Sequence, residues 1–163
     1  MRDISLRDVT EGDLPQFFEH QTDPVANHMV AFMGKDAMDW NAFQKKWSNI
    51  LCDDTSSKST IVFDGQVVGN VLCFIAPWSG RQEVGFWIGR EFWGRGIATQ
   101  ALSLFLAHVK FRPLYAGVVK DNLASIRVLE KCGFVIIGQG KQYSHTRGEE
   151  VDELILELRA TAT

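Results

Sequence analysis

The chain has 163 residues, with 17 Lys and Arg set against 20 Asp and Glu, a formal net charge of −3 at pH 7. That length fits one domain, 1–163, able to bury a core without disulfides or metal. The basic residues are scattered rather than gathered in a stripe, which argues against nucleic acid as a direct ligand.

Ile4, Leu6 and Val9 mark a short first strand, and Thr10-Glu-Gly-Asp13 reads as a helix start with Pro15 tolerated in the first turn. That helix runs through Phe17 and Phe18. In residues 36–51, Trp40, Phe43, Trp47 and Ile50 recur at spacings of three and four, the stripe of a helix with one buried face. Residues 52–59 form the most loop-like stretch, too short to divide domains. Residues 60–63, Asp64-Gly65 and residues 66–75 read as a hairpin, because Asp-Gly supplies the positive φ angles of a tight turn. A strand at 82–88 follows Pro77 and Gly80. Ala101, Leu102, Phe105, Leu106 and Val109 then keep a helical period. A strand is expected at 114–119 and a helix at 123–131, started by Asp121-Asn122 and stopped by Gly133. Two alternating segments, 134–143 and 151–158, close the chain around a polar loop, 144–150. The expected fold is α+β, a mostly antiparallel sheet with helices on its faces. The strands at 82–88 and 114–119 flank a helix and are therefore expected to be parallel.

The richest segment is 83–99, where a strand enters a glycine-broken turn and then a helix. Gly94 and Gly96 lack a Cβ, so the backbone can take positive φ and approach a ligand closely. The helix from Ile97 points unpaired N–H groups at the turn, and Arg95 adds a planar cationic fork; a phosphate suits all three. Glycines between a strand and a helix also serve simply to turn a chain. The Gly-Lys-Ser/Thr triplet of a P-loop is absent, and the acidic partner of a dinucleotide fingerprint is missing at Leu114-Tyr115-Ala116-Gly117. Cys52, Cys73 and Cys132 are odd in number and form no CxxC pair, which suggests neither a disulfide framework nor zinc. His20, His28, His108 and His145 share no ligand spacing, so no metal is expected. Met1-Arg2-Asp3-Ile4 lacks the apolar run of a signal peptide, and no stretch is long enough to span a bilayer. A cytoplasmic protein with no membrane partner is expected.

Two separated segments, Trp93-Gly-Arg-Gly-Ile-Ala-Thr-Gln-Ala-Leu and Asn122-Leu-Ala-Ser-Ile-Arg-Val-Leu-Glu-Lys-Cys-Gly-Phe134, resemble the GNAT acetyltransferases. More narrowly they look like the branch that acetylates ribosomal-protein N termini, and the element order agrees over essentially the whole chain. The resemblance implies a splayed parallel strand pair at a cofactor site and acetyl-CoA as co-substrate. Its pyrophosphate would lie on Gly94, Arg95, Gly96, Ile97, Ala98 and Thr99. Its pantetheine arm would pair with backbone groups of Phe86, Trp87, Ile88 and Gly89, and Asn122 and Ser125 match family positions near the arm and thioester. Trp93 stands where the family pattern has Gln or Arg, so Arg95 and backbone N–H groups take over that contact.

The chemistry narrows further candidates. An amine attacks a thioester only after losing a proton, and Glu83, on one sheet face with Gly85 and Trp87, is the candidate base. It also reads as an ordinary solvated strand carboxylate. Backbone N–H groups near Trp87 and Ile88 are candidates for the oxyanion. Ser125 and Tyr143 are both candidates to give the departing thiolate a hydrogen bond or a proton. The family's acceptor groove corresponds to roughly residues 22–36 and 143–150, where Glu149, Glu150, Asp152 and Glu153 cluster. The expected partner is an amine acceptor, either a protein N terminus or a small molecule, in a monomer or homodimer. Two other readings stay open: a non-catalytic CoA-binding regulatory module, and a nucleotide-binding domain using the same turn.

Overall fold

The computed structural model describes residues 3–34 and 36–160; Met1, Arg2, Lys35 and residues 161–163, which fall inside the expected domain, N terminus and groove, lie outside the described residues. Seven strands make one sheet in the order β1 (Ile4–Arg7), β2 (Ser57–Phe63), β3 (Gln66–Ile75), β4 (Gln82–Ile88), β5 (Leu114–Val119), β7 (Glu149–Leu158) and β6 (Val135–Ser144). Neighbours are antiparallel except β4 and β5, which are parallel. The helices are α1 (Leu14–Gln21), α2 (Pro24–Val30), α3 (Trp40–Cys52), α4 (Ile97–His108) and α5 (Leu123–Lys131).

Side-chain alternation along the strands gives the sheet two apolar faces. On one, Val84, Ile88, Leu114, Ala116 and Leu156 meet Ile97, Ala101, Leu102 and Phe105 of α4 and Ile126 and Leu129 of α5. On the other, Val67 and Leu72 lie under Leu14 and Phe17 of α1 and Phe43 and Trp47 of α3. The Phe17 and Trp47 rings are 5.2 Å apart, close enough for a tilted aromatic pair. Buried Asp13 ties this face together, accepting from both Arg7 Nη atoms at 2.8 Å, from Thr60 Oγ1 at 2.8 Å and from Thr10 N at 3.0 Å. Chiefly the Arg7 hydrogen bonds hold its carboxyl well below the usual carboxylate range.

The hairpin turn is as the sequence implies, with Asp64 at φ 49° and Gly65 at φ 80°. Two expectations are corrected and one element is added. The ladder takes in Ser57, Lys58 and Ser59, opposite Cys73, Leu72 and Val71, because long β3 offers backbone partners whatever the side-chain polarity. α3 begins at Trp40 rather than 36, since Asp39 accepts from Asn41 N at 2.9 Å and Ala42 N at 3.4 Å and so fixes the start. α2 is an element that the periodicity does not announce: Asp23 caps it, Pro24 opens it and left-handed Ala31, φ 68°, ends it.

The feature that matters most for a site is the β4–β5 junction. Its one register pair is Glu83 with Tyr115, so beyond that point the strands part.

Candidate active site

β4 runs out at Ile88, and a short 3₁₀ turn, Arg90–Phe92, carries the chain to Trp93. Gly94 and Gly96 both have φ 76°, and a Cβ on either would meet nothing within 4 Å. The bend is therefore open above its glycines, and Gly96 is the N-cap of α4, whose first-turn amides have no intrahelical acceptor. Trp93 turns its indole back, donating from Nε1 to the Ile88 carbonyl at 2.8 Å and pinning the bend to β4. Its N–H is thus committed to the fold.

A cavity of about 390 Å³ opens onto this bend. One wall is Phe86, Trp87 and Ile88 of the parted strand; another is Trp93, Gly94 and Gly96 with Ile97, Ala98 and Thr99 of the first turn of α4. Asn122 and Ser125 line it from α5, where Asn122 Oδ1 caps the helix by accepting from Ser125 N at 3.3 Å. Of the residues named for the coenzyme, Gly89 and Arg95 are not in the lining. Gly89 packs on His20, whose buried ring lies 2.7 Å from where a Cβ would stand. Burial also holds the His20 imidazole pKa below its ordinary value. Arg95 is exposed, its guanidinium 5.8 Å from the Phe92 ring centroid.

Further lining comes from residues that the sequence reading did not assign to the coenzyme, although 22–36 was expected to border the acceptor. α2 contributes Ala26, Met29 and Val30; α5 contributes Ala124, Arg127, Val128 and Lys131. The spacing of three and four from Ala124 to Lys131 was the available signal, since it puts these four on one helix face. Arg127 and Lys131 add positive charge beside the glycine bend. The cavity thus combines a cationic rim, unpaired helix amides and an apolar slot, which suits a long molecule with phosphates at one end.

Glu83 and Tyr143 are not among the lining residues. Glu83 sits where β4 and β5 are still paired, its Oε2 accepting from Trp78 Nε1 and Ser79 Oγ, each at 2.9 Å. It lies four residues, about 13 Å along the strand, before Trp87. On the same sheet face the Glu153 carboxylate reaches over Gly117, its Oε2 2.7 Å from a would-be Cβ. Burial, with the nearby Glu83 charge, pushes the Glu153 pKa up. Tyr143 is exposed on β6, edge-on to the His145 ring at 5.0 Å. Among the described residues no group of three His, Cys, Asp or Glu is placed to hold a metal, and no helix is long and apolar enough to cross a membrane.

Residues 3–135 match the family model of the acetyltransferase (GNAT) domain. The Bacillus subtilis protein named probable N-acetyltransferase YjcK is 30% identical over 101 residues, 58% of this chain and 56% of that one. The chain spans about half the length of that relative and of a second curated one. Among solved structures, a ribosomal-protein-alanine N-acetyltransferase from Brucella melitensis is 25% identical with TM-score 0.81, covering 96% of this chain and 99% of its own. The spermidine N-acetyltransferase of Vibrio cholerae, solved with CoA and spermine, superposes with TM-score 0.80 at 17% identity, covering 96% and 95% of the two chains. With most of its length inside the family model, and with the sheet parted beside a glycine bend, the chain belongs to the GNAT acetyltransferase family.

Proposed function

We propose that this protein transfers the acetyl group of acetyl-CoA to a primary amine, either a protein N-terminal α-amine or a small-molecule amine, by direct attack in a ternary complex. The observation that carries the reading is the left-handed bend at Gly94 and Gly96, open above its glycines, at the mouth of a cavity walled by the parted end of β4. The CoA held by the Vibrio relative supports it.

Acetyl-CoA supplies the activated acyl group. The amides of Gly96 to Thr99 bind the diphosphate, and Arg127 and Lys131, with Arg95 outside the lining, add the charge that Trp93 does not. The backbone edge of Phe86, Trp87 and Ile88 holds the arm, and the N–H groups near Trp87 and Ile88 polarise the thioester carbonyl. Glu83 takes the ammonium proton through water, since its carboxylate stands outside the cavity. Ser125, in the lining, donates a hydrogen bond to the departing thiolate, which takes its proton from solvent; exposed Tyr143 is the less favoured donor. Positioning two bound substrates accounts for most of the acceleration.

Thermal unfolding with ligands tests the cofactor. At one hundred times its dissociation constant, acetyl-CoA should stabilise the fold by about 2.7 kcal/mol, a rise of roughly 5–11 °C. Equal rises with ATP or NAD would overturn the assignment. Thiol release followed across a panel of amines and peptides then separates an enzyme from a CoA-binding module and names the acceptor.

A further inference from the structure

We infer that Arg147, in the turn between β6 and β7, is a positioning residue that fixes the spacing of two walls of the cavity. The inference rests on the acetyl-CoA reading only for its binding assay. Although it belongs to a surface turn, the Arg147 side chain is just 7% exposed. It grips two segments at once. Nη1 and Nη2 fork onto Asp121 Oδ2 and Oδ1 at 2.7 and 3.0 Å, while Nε donates to the His28 carbonyl at 3.0 Å.

Each partner adjoins a residue of the cavity lining. His28 lies in the last turn of α2, where carbonyls have no intrahelical donor and must find one elsewhere. The neighbouring carbonyls are treated alike: Met29 O accepts from Asn122 Nδ2 at 3.3 Å, and Ala31 O from Ser144 Oγ. Asp121 immediately precedes Asn122, which caps α5 and lines the cavity. Arg147 therefore joins the α2 wall, with Met29 and Val30, to the α5 wall, with Asn122 and Ser125. The planar guanidinium is suited to this because three of its N–H groups meet a carboxylate and a carbonyl together; an ammonium is a single point with no such fork.

The consequence is specific. Asp121 is 63% exposed on its side chain, so losing Arg147 leaves that carboxylate free to hydrate and the core intact. What is lost is one of the three side-chain ties that hold the last turn of α2 in place. In Arg147→Ala, amide hydrogen exchange of residues 28–31 should quicken about tenfold or more in the ligand-free protein, while the central strands keep their protection. The dissociation constant of acetyl-CoA by calorimetry should rise about tenfold, with KM rising more than kcat falls. Arg147→Lys should recover little of either, because it cannot reproduce the fork.

Unchanged exchange at residues 28–31 would overturn the inference whatever the ligand result. Wild-type protein that fails to bind acetyl-CoA would instead overturn the cofactor reading, leaving the exchange result to stand alone. Should Arg147→Ala not fold, Asp121→Ala removes half the grip from an exposed position. It should give a smaller change of the same sign, and no change in either readout would refute the role.

Discussion

Gly69 sits in β3 opposite Ile88, and a Cβ there would stand 2.0 Å from the Trp87 carbonyl oxygen and 3.1 Å from Ile88 Cδ1. Ordinary contact begins at 3.4 Å, so Gly69→Ala must push β4 away by 3.4 − 2.0, or about 1.4 Å, and against backbone rather than a yielding side chain. Overpacking of this kind costs about 1–3 kcal/mol, and the upper figure applies because a strand must move. For a chain of this length about 3 kcal/mol lowers Tm by roughly 6–12 °C. The displaced stretch is the β4 edge that walls the cavity, so acetyl-CoA affinity should fall beyond what the lost stability explains. Chemical denaturation gives the first quantity and calorimetry at a temperature where the variant is folded gives the second. A variant as stable as wild type, or one that is destabilised yet binds acetyl-CoA with unchanged affinity, would refute the claim that Gly69 is kept for strand approach at the site.

Other perturbations separate backbone strain, charge and chemistry. Gly96→Val puts a branched residue at φ 76° in the open bend; it should cost about 1–2 kcal/mol and abolish acetyl-CoA binding, whereas Gly65→Ala, at φ 80° in the distant hairpin turn, should cost about the same and leave binding intact. Asp13 has its pKa depressed by folding, so its contribution is fully present above the unfolded carboxylate value of about 3.9 and is lost as pH falls towards the folded one. Asp13→Asn should therefore cost about 2 kcal/mol at pH 7, measured by urea unfolding, and flatten the loss of stability between neutral and acid pH. Glu83→Gln should lower kcat and change the pH profile of kcat/KM while leaving acetyl-CoA affinity in place, and a profile identical to wild type would remove Glu83 from the base role.

What could be read from residues alone were features dictated locally. Asp64-Gly65 encodes its turn because few other residues take two successive positive φ angles, and Gly94 and Gly96 encode the open bend for the same reason. α4 announces itself by its period and α5 by its caps. α2 does not, because seven residues are too few to show a stripe, and its place depends on Arg147, Asn122 and Ser144 donating from far along the chain. The same limit hid Met29 and Val30 from the cavity list. Glu83 was legible as a strand carboxylate, but its hydrogen bonds from Trp78 and Ser79 exist only because the chain folds back after β3, with Gly80 N donating to Ala76 O at 2.7 Å. Trp93 looked like a departure from a phosphate-binding pattern; its indole N–H reaching Ile88 O shows it bracing the bend.

The divergence of β4 from β5 after Glu83 and Tyr115 gives the sheet two raw borders in its middle rather than at its rim. Borders at a rim invite strands from other molecules, and proteins guard them with charge or bulges. Here the unpaired border of β4 lies inside the sheet and faces the cavity through Phe86, Trp87 and Ile88, so its free backbone groups are offered to whatever enters that space rather than to a neighbouring molecule's strand.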